Sequence, residues 1–447
     1  MSSVKKILII GAGPGAYITA LTCLEHKVNI TMASPIIDKW KNVVDSNLLK
    51  KLILKRRFAE RNYYKIPSAI AEFQGKKIDV FENFNVGGLS NIWGGVFLPP
   101  NMAEFESGSK LKKEFLEAID YVERVIPIHN KESTIYRVLL AGERNNVSIE
   151  EPATVANATS DKATNWSASV IENDRVFEPI CFIDSVVESL EQLPNKQVKV
   201  KLINDDGVIF FEIFDKVFIG AGVFGTVRIL LNSLESDLSF KALDSAVTTC
   251  FAFKFNDKSS KELESRMTPE SVYINKSSDG KVQGYAQTYK ISTELIESFK
   301  YKVTHKLIIG MLKAMKLNLR LVMFFHPADA SRRIVLSKQD NNLIAKSQGK
   351  NHFFIGAKRA LIFCIKGRYF PVTPFIGLRP GAGVHSGSFL KINEPDHQGR
   401  IDLNLADWQN VHVVGSATSP IIPTGPIMLT LMANSRVIAL NSLKDIQ

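Results

Sequence analysis

The residues best suited to chemistry sit in a few glycine-rich stretches. Val86–Pro99 reads V-G-G-L-S-N-I-W-G-G-V-F-L-P, with glycines paired at Gly87, Gly88, Gly94 and Gly95. Paired glycines let the backbone approach a flat ligand, because no Cβ stands in the way. Ser90 and Asn91 offer hydrogen bonds to polar ligand edges, and Trp93 adds an aromatic face. An earlier turn, Gly11-Ala12-Gly13-Pro14-Gly15-Ala16, follows the apolar run Lys5–Ile10. It fits G-x-G-x-x-G/A, the dinucleotide fingerprint, with Ala16 in the third position. Gly11 makes the turn, and Gly13 admits a pyrophosphate whose charge suits a helix N-terminus. A third small-residue turn, with Ala221 and Gly222, lies within Lys216–Gly225, and a late histidine, His385, stands in the glycine-rich loop Gly381–Phe389. A neutral imidazole near pH 7 suits general-base work.

These residues need elements to position them. Lys5–Ile10, Tyr17–Leu24 and Val28–Met32 read as strand, helix and strand around the first turn. The second strand ends at Ser34, where the fingerprint calls for Asp or Glu to grip a ribose; Asp38 is four residues late. Trp40–Lys65 interleaves Lys and Arg with Leu and Ile and reads as an amphipathic helix with a solvated basic face. Ile78–Phe81 reads as a strand, and Lys110–Val125 as a helix buried on Leu111, Phe115, Ile119 and Val122. From about Thr154 the pattern alternates: Arg175–Leu190 and Val198–Phe214 read as strands, with Asn204–Gly207 as a hairpin turn. Lys216–Leu231 then repeats strand, turn and helix, as expected of a chain returning from an insertion to the nucleotide sheet. Val282–Tyr289 reads as strand, and Leu319–Phe325 is an apolar run ending in His326. Glu297–Arg320 reads as a basic helix, either solvated or lying on a membrane surface. Val411–Val414 is a last strand and Ile427–Leu440 a closing helix. The division expected is residues 1–240 with an insertion near 154–214, residues 241–366 as a substrate-binding unit, and residues 367–447 returning to the first unit.

Composition excludes some classes. The 447 residues are 45% apolar and 23% charged, ordinary for a folded chain. Cys23, Cys181, Cys250 and Cys364 lack the C-x-x-C spacing of a zinc site or a disulfide framework. A reducing, cytoplasmic setting is expected. The net charge of +11 suggests acidic partners, but no nucleic-acid module is present. The uncharged-rich run Gln409–Ser435 is broken by Gly415, Pro420, Pro423, Gly425 and Pro426, so no membrane span is expected there.

Four segments in order resemble the glucose–methanol–choline family of FAD-dependent oxidoreductases: G-A-G-P-G-A, G-G-L-S-N-I-W-G-G, F-I-G-A-G-V-F-G-T-V-R-I-L-L-N-S, and the stretch from Val411 with P-I-I-P-T-G-P-I-M-L-T-L-M-A-N. The similarity looks nearest to the branch found among bacterial surface-polysaccharide genes. The resemblance implies an α/β fold with a Rossmann-type FAD-binding domain and an inserted sheet-based substrate domain. It implies oxidation of a CH–OH carbon on a sugar or glycan-linked substrate. His385 would take the hydroxyl proton and flavin N5 the hydride. It places Gly11, Gly13, Gly15, Ala16 and Ser34 at the nucleotide, with Ala221 and Gly222 in support. It places Gly87, Gly88, Ser90, Asn91, Trp93, Gly94, Gly415, Ser416 and Pro426 at the flavin. His326, Ser386 and Thr424 are its substrate candidates, and a structural His326 is the competing reading.

Three departures stand out. Pro423–Pro426 lacks the family's second His or Asn, Gly415 replaces an Asp, and Ile92 replaces the His that links FAD in some sugar-oxidising members. FAD is therefore expected to be non-covalent. An NAD(P)-dependent Rossmann enzyme and a scaffold that has lost its chemistry are the other readings; the first leaves Gly87–Gly95 without a role.

Overall fold

The computed structural model describes residues 5–35, 64–65, 81–82, 88, 110–125, 128–129, 154–155, 180–204, 206–234, 238–254, 269–276, 282–290, 319–327, 332–339, 342–349, 353–366, 368–378, 380–381, 386–387, 408–419 and 422–444. In chain order, β1 (Lys6–Ile10), α1 (Pro14–Glu25) and β2 (Asn29–Ala33) come first. Two short pairs follow, β3 (Tyr64–Lys65) with β4 (Phe81–Glu82) and, beyond α2 (Lys110–Val125), β5 (Ile128–His129) with β6 (Thr154–Val155). Next are β7 (Cys181–Ile183), β8 (Ser185–Gln192), β9 (Val198–Asn204), β10 (Ile209–Phe214), β11 (Lys216–Ile219) and α3 (Gly222–Ser233). The chain continues through β12 (Ser239–Asp244), β13 (Val247–Lys254), β14 (Pro269–Lys276), β15 (Val282–Lys290), β16 (Leu319–Phe325), β17 (Arg332–Gln339), β18 (Asn342–Gly349) and α4 (Phe353–Lys366). It closes with β19 (Tyr369–Pro371), β20 (Ile376–Gly377), β21 (Ser386–Gly387), β22 (Val411–Val413) and α5 (Met428–Leu443).

Five strands build a parallel sheet in the order β22-β11-β1-β2-β7. Counted along the chain this is 5-4-1-2-3, the doubly wound order with its switch beside β1. Its strands are largely apolar because both faces are covered. α1, α2 and α5 bury Tyr17, Phe115 and Leu429 on one side, while α3 and the antiparallel β8–β10 sheet bury Phe214, Leu230 and Leu202 on the other. Arg436 of α5 clamps the first side: its guanidinium lies 3.2 Å from the Tyr121 ring centroid and donates to Glu25 Oε2 at 2.9 Å.

Two further antiparallel sheets are not hydrogen-bonded to this one, though the first shares its core through Phe240, Ile334 and Leu336. One runs β18-β17-β12-β21 and the other β14-β15-β16-β13-β19, with β20 also on β13. The overall class, a Rossmann-type α/β unit carrying separate antiparallel sheets, agrees with the expectation.

Several element readings need correction. Arg175–Leu190 is not one strand: it breaks at Asp184, where the chain leaves the parallel sheet after β7 and enters the β8–β10 sheet. Leu319 and Arg320 do not end a helix. They open β16, and Arg320 is 1% exposed, so its charge marks no solvated face. Tyr64 and Lys65, expected in a helix, pair as β3. The rest of those two basic segments lies outside the described residues. Helix α2 spans the residues expected of it.

Candidate active site

Three glycine turns meet at the carboxyl edge of the parallel sheet. β1 ends in Gly11, whose N–H donates to Ala33 O at 2.8 Å, while Gly220 N–H donates to Ile10 O at 2.8 Å. Gly11 has φ +98°, and a Cβ there would stand 2.5 Å from Gly220 O. Glycine is thus required by both conformation and space. Ala16, fully buried, packs its methyl under Gly220. A Cβ on Gly15 would meet Gly415 Cα at 3.2 Å, so the last turn rests on α1.

Gly13 differs from these. It is the N-cap of α1 in extended conformation, with no side-chain cap, and Pro14 follows. A Cβ added there would meet nothing within 4 Å. Among the described residues no side chain caps the amides that open α1, and space is open beside Gly13, which suits an anion. Gly88, half-buried at φ +54°, stands over this turn: a Cβ on it would lie 3.3 Å from Gly13 Cα. It is the one described residue of Val86–Pro99. Gly87, Ser90, Asn91, Trp93 and Gly94 lie outside the described residues. Ser34 is buried just beyond β2, its N–H donating to Ile183 O at 3.1 Å. Ala221 caps α3, and Gly222 opens it at φ +71°.

Gly415 has φ +86° and open space where a Cβ would project. An Asp at this place would be strained, which gives a conformational reason for the missing carboxylate. Asn434 of α5 fixes the turn, its amide donating to Gly415 O at 3.2 Å and to Thr418 Oγ1 at 3.1 Å. Ser416 is half-buried, while Thr424 and Pro426 are buried.

His385 lies outside the described residues, but both flanks of its loop are placed. Asp244, fully buried, accepts from Gly381 N–H at 3.2 Å and pairs in register with Ser386. Its charge is matched by Arg332, whose Nε lies 2.7 Å from Oδ2 as a charge contact rather than an aligned hydrogen bond. At the loop's far end, a Cβ on Gly387 would fall 2.2 Å from Ser416 O. Of the two flanks of His385, Gly381 is thus held by Asp244, and Gly387 lies against the turn expected at the flavin. Asp244 went unnoticed in the sequence, where nothing marks a carboxylate 137 positions from its partner.

A second unread feature lies on β15. Tyr285, Gln287 and Tyr289 share one face at a spacing of two. Tyr289 donates to Gln287 Oε1, and Gln287 Nε2 donates to Tyr285 Oη at 3.1 Å. The ring of Tyr285 lies against Gly425, 3.1 Å from where a Cβ would be. Burial pushes both phenols well above their usual range, so both stay protonated. Among the described residues none accepts the Tyr285 proton. The Y-x-Q-x-Y alternation was the available signal. His326 sits elsewhere on this sheet, with Nε2 2.9 Å from Thr248 Oγ1 and its ring against Gly356 of α4.

The architecture has known counterparts. A pyridoxine 4-oxidase from Mesorbium loti superposes with a TM-score of 0.65 at 14% identity, over 98% of each chain. A formate oxidase from Aspergillus oryzae RIB40, crystallised in a study of FAD modification, superposes with a TM-score of 0.63 at 11% identity over 99% of each. Another formate oxidase structure gives 0.60 at 11%, over 100% of this chain and 99% of that one. The chain has the glucose–methanol–choline oxidoreductase fold. No family model and no curated protein matches its sequence. Within this fold the glycine turns of β1, β11 and β22 lie on one sheet edge, as doubly wound nucleotide binders place them.

Proposed function

We propose that the protein is an FAD-dependent oxidoreductase acting on the CH–OH group of a sugar or glycan-linked substrate. The observation that carries this reading is the convergence of Gly11, Gly13, Gly88 and Gly415 around the uncapped start of α1. Room beside Gly13 and a helix N-terminus that no described side chain caps fit a dinucleotide pyrophosphate. The fold shared with pyridoxine 4-oxidase and formate oxidase supports the reading.

Bound there, FAD supplies a hydride acceptor at flavin N5. The chain supplies the rest. The first turn of α1 holds the pyrophosphate, and the Ser34 hydroxyl stands for the missing carboxylate at the ribose. Gly88, Gly415, Ser416 and Pro426 would enclose the ring. Ile92 offers no nucleophile next to Trp93, so the cofactor is held without a covalent bond. His385 takes the proton of the substrate hydroxyl, leaving a carbonyl once the carbon has lost its hydride. Tyr285, whose ring lies against Gly425 and whose proton no described residue accepts, donates to the substrate oxygen where the family's second His or Asn is lacking.

The test is anaerobic addition of sugars and simple alcohols to the purified yellow protein. A substrate bleaches the wild type, and His385→Ala keeps the colour but no longer bleaches. Bleaching at an unchanged rate in that variant overturns the role of His385. The absence of carboxylates at Ser34 and Gly415 also suits a scaffold that has kept the fold and lost the reaction. A protein that takes up FAD yet is bleached by no alcohol selects that second reading.

A further inference from the structure

Six of the exposed large apolar side chains belong to one short stretch. Leu361, Ile362 and Ile365 lie on α4 and are 42%, 44% and 66% exposed. Phe370, Val372 and Ile376 follow in and beside β19 and β20, the strands α4 packs on, at 59%, 39% and 57%. With Lys358, the helix residues fall at i, i+3, i+4 and i+7, so they form one stripe. The opposite face buries Gly356, Ala360, Phe363 and Cys364. The stripe is therefore not a core face read wrongly: α4 is apolar on both sides.

Charge says what meets the outer side. From Asn341 to Asn393 the chain contains no Asp or Glu and eight Lys or Arg. Lys358 and Arg368 are exposed beside the stripe, and Lys254 stands 5.9 Å from the Tyr369 ring centroid. β13, β16, β19 and β20, the strands around α4, contain no carboxylate. Apolar side chains beside Lys358 and Arg368, with no carboxylate on the described elements around them, match a bilayer with anionic headgroups: the cations meet phosphates while Ile365 and Phe370 enter the acyl boundary.

We propose that α4 with the β19–β20 edge is a docking surface for an anionic phospholipid bilayer, holding the protein on the membrane face without spanning it. Among the described residues no helix is long and apolar enough to cross a membrane. The proposal stands independently of the reaction assigned above.

The experiment is flotation of the full-length protein with phosphatidylcholine vesicles, with and without phosphatidylglycerol, at low and high salt. Binding is expected only with phosphatidylglycerol and is expected to weaken as salt screens the headgroups. Lys358→Glu and Arg368→Glu should each weaken it about fivefold or more. Ile365→Glu should abolish it, with an unchanged far-ultraviolet circular dichroism spectrum. No flotation of the wild type overturns the proposal, as does binding that Ile365→Glu leaves intact. A wild-type dimer that Ile365→Glu converts to a monomer, with no vesicle binding by either, assigns the face to a second copy of the chain instead.

Discussion

Gly11 and Gly13 stand two residues apart and are held to glycine for different reasons. Gly11 is fixed by its φ of +98° and by Gly220 O, so Gly11→Ala should destabilise the fold by about 2 kcal/mol or more. Gly13 has an ordinary backbone and open space, so Gly13→Val should leave the urea midpoint nearly unchanged. It should nevertheless abolish FAD uptake, because the valine fills the place of the pyrophosphate. Loss of fold in Gly13→Val, or normal FAD uptake by it, contradicts the assignment. Tyr285→Phe removes only a hydroxyl; turnover by an identified substrate should fall ~10-fold or more, with the flavin spectrum unchanged.

The thiols make a third residue-scale test. Burial pushes the Cys23 thiol up to about 12, with Lys216 opposing. Cys250, hydrogen-bonded to Cys364 and buried, is raised as well. Only Cys181 of the four is exposed. A disulfide reagent at mildly alkaline pH should therefore label one thiol in the native protein and four after unfolding. A raised folded pKa means that Cys23 favours folding below its unfolded value, and this contribution fades as pH rises toward 12. Stability to urea should drop by about 1 kcal/mol between about pH 8 and about pH 10. Cys23→Ala should lessen that drop, with Cys250 keeping the remainder.

At the scale of elements, the ends of β12 and β21 matter most. Asp244 holds Gly381 on one side of the His385 loop and Ser386 on the other, and its charge is balanced by buried Arg332. Asp244→Asn leaves Arg332 uncompensated and should cost about 3 kcal/mol. The melting temperature checks the cost, and a fall in turnover at a temperature where the variant is folded checks the positioning. Elements were legible where periodicity and burial agree. Lys110–Val125 shows a clear apolar stripe and is one helix. They were misread where a charge is buried, as at Arg320, or where a strand changes sheets, as at Asp184. No local pattern reports either event, because tertiary pairing decides them.

For the whole molecule, the nucleotide half was readable because glycine turns and apolar strands carry strong local signals. The neighbours β1 and β2 and the return of β11 fit those signals, whereas the place of β7 beside β2 follows from none of them. The approach of the Gly387 loop to Ser416, and of Tyr285 to Gly425, was not readable, since each joins residues far apart in sequence. The account depends on those distant pieces enclosing one cofactor. The most direct measurement is the absorption spectrum of the purified protein, before and after denaturation. The expected result is the two visible bands of oxidised flavin, with the yellow compound released into the supernatant on unfolding. A colourless protein that also takes up no added FAD would contradict the account.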